Sequence, residues 1–171
     1  MTNRWIRYTF YFLFIILLQG LMMNQIQISE LLYPMIYIMA ILMLPLETSL
    51  FVSIMVSLIL GVLVDSISDT FGLHTSSSLL VAYTRPYFLK FIRPRDGYDN
   101  TLLPSIHDMG KSWFLTYILI MLMVHHLWFF TFEIFKFNMI GTILLKTIFS
   151  TLLSTGFIVI LQYIFYKPSK H

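Results

Sequence analysis

The sequence predicts an all-α membrane protein, a compact bundle of about six transmembrane helices, and three observations carry that expectation. Of 171 residues, 58% are hydrophobic and only 11% are charged, where an ordinary soluble domain carries about 25% charged residues. So little charge cannot cover a water-facing surface, which places the chain in a bilayer. The apolar residues gather into six runs, each near the ~20 residues that a helix needs to cross ~30 Å of hydrocarbon. The basic residues, finally, fall almost wholly on one side of those runs. The length suits a single integral membrane domain.

The first helix is expected over 5–23. Arg4 and Arg7 precede it as in a signal peptide, but the first alanine is Ala40, so the small residues of a cleavage site are missing. The run therefore reads as an uncleaved membrane helix. A polar turn, Asn24 to Glu30, leads to the second helix, 31–44, with Pro34 tolerated in its first turn and Pro45 closing it. It is short and would thin the bilayer locally. The third helix covers 48–64 and the fourth 75–90. The fourth opens on Ser76, Ser77 and Ser78 and should be shielded from lipid. The segment 91–111 is a polar, basic loop rich in turn formers, with Pro94, Gly97, Asn100 and Pro104. The fifth helix, 112–130, and the sixth, 141–166, are linked by Glu133 to Asn138.

With six spans, Arg4, Arg7, Arg85, Lys90, Arg93, Arg95, Lys111, Lys167 and Lys170 share one side, nine of the eleven basic residues. The positive-inside rule puts that side, and both termini, in the cytoplasm. It also accounts for the net charge of +3 without nucleic acid, although the basic loop is suited to anionic lipid headgroups. There is no cysteine, which excludes disulfides, thiolate catalysis and Cys-ligated metal. No phosphate-binding loop, dinucleotide fingerprint, nucleophile elbow or metalloprotease spacing is present. No enzymatic activity and no cofactor are expected.

The chemistry-bearing residues concentrate between Thr48 and Pro86. Ser49, Ser53, Ser57, Gly61 and Asp65 recur every fourth residue and so share one helix face, a ridge of small side chains ending in a carboxylate. Small residues let a neighbouring backbone approach closely, which is how helices associate in lipid. The hinge Asp65 to His74 then holds two carboxylates and an imidazole. Asp65 is a candidate for shaping the hinge, for capping the turn, or for binding a ligand, because a carboxylate near the membrane is costly unless paired or wet. Asp69 reads as solvated loop. Gly72 suits a tight backbone turn, and His74 is placed to bond Asp65 or Asp69 across it. Arg85 before Pro86 reads as a helix stop matched to the helix dipole, or as a partner-facing cation.

Further on, His125 and His126 lie about 100° apart on a helix and cannot share a ligand face. With Glu133 and the aromatic run 128–130 they read as an interfacial belt rather than a metal site. Lys146 would snorkel to the outer headgroups. Thr147, Thr151 and Thr155, flanked by Ser150 and Ser154, make a second small polar face, suited to packing on the third or fourth helix.

At Gly61-Val-Leu-Val-Asp65, then Gly72-Leu-His74, then Ala82-Tyr-Thr-Arg85-Pro86, the chain resembles the MreD family of bacterial rod-shape-determining membrane proteins, and the likeness extends over the whole length. Gly61, Asp65, Gly72 and His74 match recurrent positions of that family. The resemblance implies a non-catalytic inner-membrane scaffold of cell-wall elongation. It would bind an MreC-like protein within a complex of RodA and a penicillin-binding transpeptidase. It also implies a fold like the six-helix substrate-binding subunits of vitamin uptake transporters. That fold supplies the alternative, a subunit that captures a small ligand. Ser53, Ser57, Gly61, Asp65, Gly72, His74 and Arg85 are the expected partner-binding or packing residues.

Overall fold

The computed structural model describes residues 14–20, 31–95, 97–98 and 103–165. Residues 1–13 with Arg4 and Arg7, the polar turn 24–30, and Lys167 and Lys170 lie outside the described residues. The first helix is seen over 14–20 (α1). A single turn, Met39–Leu42 (α2), follows. Four long helices complete the chain: Leu50–Ser68 (α3), Leu73–Phe91 (α4), Lys111–Ile134 (α5) and Ile140–Phe165 (α6). A short 3₁₀ turn, Phe137–Met139, joins the last two. No strand occurs among the described residues. α3, α5 and α6 are long and apolar enough to cross a membrane. Their outward faces carry exposed side chains such as Phe51, Ile59, Leu152 and Ile160, the surface that lipid solvates.

The four long helices form two hairpins joined side by side. α3 stops at Asp69, which adopts a left-handed conformation (φ 51°) and donates its N–H to the Asp65 carbonyl. Gly72 follows at φ 81° and opens α4; a backbone there favours glycine because no Cβ opposes it. The turn between the helices is thus four residues, and the 65–74 hinge expected from sequence shrinks, since Asp65 lies inside α3 and His74 inside α4. α4 packs on α3 and α5, and α5 on α6.

The second helix, expected over 31–44, is not formed. Residues 32–36 are neither helix nor strand, and only Met39–Leu42 coil into one turn. Yet Met35 through Met43 are all buried, most of them completely. The segment runs through the middle of the bundle, in contact with α1, α4, α5 and α6. Non-helical backbone at membrane depth is tolerated only where protein replaces the missing hydrogen bonds, and distant side chains supply them here. Gln19 on α1 donates Nε2 to the Pro34 carbonyl at 2.9 Å, and its Oε1 accepts the amides of Ile36 and Tyr37 at 2.7 and 3.2 Å. Ser150 and Ser154 on α6 accept the amides of Tyr33 and Met35 at 3.0 and 2.9 Å. The Tyr117 hydroxyl donates to the Leu42 carbonyl at 3.1 Å.

This placement revises the role of the polar face on α6. Ser150 and Ser154 face the central segment rather than α3 or α4, while Thr151 and Ser154 reach His126 at 3.3 and 3.4 Å. The loop after α4 is also less open than its composition suggests. Tyr98 donates to the Leu89 carbonyl at 2.8 Å, and Ile106, 6% exposed, donates its amide to Gln162 at 3.3 Å.

Candidate functional site

The polar residues of the bundle assemble into three connected groups, and each begins with a helix face read from the sequence. The first is the α3–α4 corner. Ser53, Ser57, Gly61 and Asp65 are buried together along one face of α3. A Cβ added at Gly61 would stand 3.0 Å from both the amide nitrogen and the hydroxyl of Thr75, and nearer still to its Cα. The two helix backbones therefore touch at Gly61, and only glycine permits it.

One turn on, the Asp65 carboxylate crosses to α4. Oδ1 accepts the His74 amide at 3.0 Å and the Thr70 hydroxyl at 2.5 Å; Oδ2 accepts the Thr75 amide at 2.9 Å and its hydroxyl at 2.5 Å. Gly72, the N-cap residue, has no side chain for capping, so Asp65 performs that task from the neighbouring helix. A carboxylate at a helix N-terminus also meets the positive end of the dipole, and such charge-assisted bonds are roughly twice as strong as neutral ones. His74 does join Asp65 across the turn, but through its backbone; the imidazole points elsewhere.

The second group lies at the core. The Tyr37 hydroxyl, on the central segment, sits 2.7 Å from His125 Nε2 and 3.1 Å from His74 Nδ1. Both rings are completely buried, as is His126. The interfacial belt expected of His125 and His126 is thus corrected: Trp128 and Phe132 stack on each other at the surface, while the two histidines belong to the interior. The two imidazoles stand edge-on at 89° with centroids 5.3 Å apart, the divergence that helical spacing requires. His126 turns to the Leu122 carbonyl (2.7 Å) and to α6. Glu133, in the last turn of α5, pairs with Lys146 at 3.1 Å. Lys146 also lies over the Tyr33 ring at 4.8 Å, so it is tied to its neighbours rather than reaching freely outward. No group of three metal-ligating side chains converges among the described residues.

The third group surrounds Arg85. α4 continues through Pro86 to Phe91, so Arg85 does not mark a helix stop. Nor does it face outward, being 1% exposed. Its Nε donates to Tyr117 at 2.9 Å and its Nη2 to the carbonyls of Leu44 and, at 3.2 Å, Pro45. A guanidinium offers five donors in a rigid fork, which suits it to clamping the unpaired carbonyls where the central segment ends.

Several members of these groups were not singled out by sequence reasoning. Thr70 and Thr75 carry no signal beyond their nearness to Asp65. Gln19 and Gln162 do carry one, as isolated amides within apolar runs, where a polar side chain implies an interhelical partner. Tyr37 and Tyr117 are indistinguishable in sequence from the other aromatics. A cavity of 570 Å³ opens at the start of α5, lined by Ile92, Met109 to Trp113 and Thr116; none of Ser53, Ser57, Gly61, Asp65, Gly72, His74 or Arg85 borders it.

No protein-family model, curated protein or solved structure matches the chain. What fold and site define is an α-helical protein with membrane-spanning character, whose polar side chains are directed inward to hold one irregular segment.

Proposed function

We propose that the chain is a non-catalytic membrane scaffold of the MreD type, set in the bacterial inner membrane with both termini cytoplasmic. In this reading it binds an MreC-like protein and helps position RodA and a penicillin-binding transpeptidase during cell-wall elongation. The observation that supports it is the α3–α4 corner. Gly61, Asp65, Gly72 and His74, the residues that carry the resemblance, all serve one interlocked helix contact. Residues spent on holding two helices in register suit a protein whose task is to present a fixed shape. The long helices keep apolar outward faces, on which a partner's membrane helix can pack.

The test is affinity purification from native membranes in mild detergent, with mass spectrometry of all co-purifying proteins. Recovery of an MreC-like protein with the elongation synthases is the expected result. Recovery of a transporter core with ATPases, or of a retained small molecule, would replace the scaffold reading with that of a ligand-capture subunit. Gly61→Leu at normal abundance should lose the partners; their undiminished recovery would remove the α3–α4 packing from the argument.

A further inference from the structure

The second polar group has a property that the scaffold reading does not use. Tyr37 has one hydroxyl proton and stands between two imidazole nitrogens, His74 Nδ1 at 3.1 Å and His125 Nε2 at 2.7 Å. The opposite nitrogens, His74 Nε2 and His125 Nδ1, are buried and have no hydrogen-bond partner among the described residues. Buried polar atoms are seldom left so, and two in one chain of contacts point to something small and polar at each end.

The proton count restricts the arrangement. If Tyr37 donates to His125, its oxygen accepts from His74 Nδ1–H; His125 then carries its proton on Nδ1, and His74 Nε2 is bare. If Tyr37 donates to His74, its oxygen accepts from His125 Nε2–H; His74 then carries its proton on Nε2, and His125 Nδ1 is bare. Each case satisfies both contacts, and in each the two rings have the same tautomer. A mixed pair strands either a second donor or a second acceptor at Tyr37. Ser78 offers little escape, because it lies 3.5 Å from the Tyr37 oxygen and its own proton goes to the His74 carbonyl at 2.6 Å.

We propose that His74, Tyr37 and His125 form a proton relay between two internal water sites, one at His74 Nε2 and one at His125 Nδ1. The balanced step starts from the first case. A proton arrives from water at bare His74 Nε2. The Nδ1 proton passes to the Tyr37 oxygen, the Tyr37 proton passes to His125 Nε2, and His125 releases its Nδ1 proton to the second water. The second case results, with one proton moved and no net charge left behind. The same water sites explain why two buried nitrogens have no protein partner, since an internal water needs polar partners of this kind. Tyr37 lies on the non-helical central segment, so the relay is complete only while that segment is seated.

The experiment is solid-state NMR of the full chain in lipid bilayers with ¹⁵N-labelled histidine, where ring-nitrogen shifts separate N–H from bare nitrogen. His107→Gln and His171→Gln remove the signals from outside the core. The expected result is a matched tautomer for His74 and His125, with water cross-peaks at His74 Nε2 and His125 Nδ1, and loss of the match in Tyr37→Phe. Opposite tautomers in the unaltered core would overturn the relay. A matched pair with no water contact at either outer nitrogen would overturn it too. Both outcomes are read without the Tyr37 variant, so a variant that fails to fold does not protect the proposal.

Discussion

Gly61→Ala offers a direct measure of how much the fold depends on the α3–α4 contact. The new methyl would stand 3.0 Å from two Thr75 atoms, one of them backbone, where carbon contacts settle at ~3.5–4.0 Å. Thr75 cannot swing aside, because its amide and hydroxyl both bond Asp65 Oδ2. The helices must part by at least ~0.5 Å, a strain that overpacking puts at about 1–3 kcal/mol. Parting them also lengthens charge-assisted bonds worth ~1.5–3 kcal/mol each when fully lost. A total near 3 kcal/mol, roughly a hundredfold in the folding equilibrium, is expected. Denaturant unfolding in lipid–detergent micelles, followed by circular dichroism, would measure it. Gly156→Ala is the control, because a Cβ there meets nothing within 4 Å; it should hold or raise stability by up to ~1 kcal/mol. If Gly61→Ala unfolded at the same midpoint as the unaltered chain, the close approach of the helices would not be a source of stability.

Other perturbations separate the remaining groups. Asp65→Asn replaces one acceptor oxygen with a donor facing His74 and Thr70 or Thr75, and should cost about 2–4 kcal/mol; faster hydrogen exchange at the His74 and Thr75 amides would localise the loss. Arg85→Met keeps the bulk but abandons the carbonyls of Leu44 and Pro45. It should destabilise by about 3 kcal/mol, with Arg85→Lys recovering only part; unchanged protease resistance around residues 43–46 would contradict the clamp. Ser150→Ala with Ser154→Ala frees the amides of Tyr33 and Met35 at about 1–3 kcal/mol each. Exchange should then rise in the central segment while the α3–α4 turn stays protected. Gln19→Leu should do the same at Ile36 and Tyr37, with exchange at α3 as the internal reference.

Much of the corner was legible beforehand because its signals are local. A four-residue period of small side chains marks a face wherever it occurs in a helix, and Gly61 with Asp65 on that face suffices to suggest close packing beside a carboxylate. That Asp65 would cap its neighbour through two amides was one of three roles open to it, and the choice depended on how tightly the turn at Asp69 to Gly72 closes. Arg85 was misjudged for the opposite reason. A cation before proline near a helix end has an ordinary local meaning, and nothing nearby shows that two carbonyls forty residues earlier need its donors. The histidine pair failed in the same manner: adjacency to aromatics suggested an interface, while the burial of both rings follows from how α5 sits between α4 and α6.

By itself the sequence determined the all-helical, membrane-spanning character of this protein, its long helices α3 to α6 to within a turn, and the small-residue face of α3. These depend on composition and on periodicity within about twenty residues. It could not determine the state of residues 31–44, since an apolar run buried on every side has no periodicity to distinguish helix from irregular chain. Only the tertiary structure decided that. Backbone amides and carbonyls must be satisfied inside a bilayer, and here Gln19, Arg85, Tyr117, Ser150 and Ser154 satisfy them from four different helices. The partners are distant in the chain and adjacent in space, so the conformation of the central segment exists only once the bundle has closed around it.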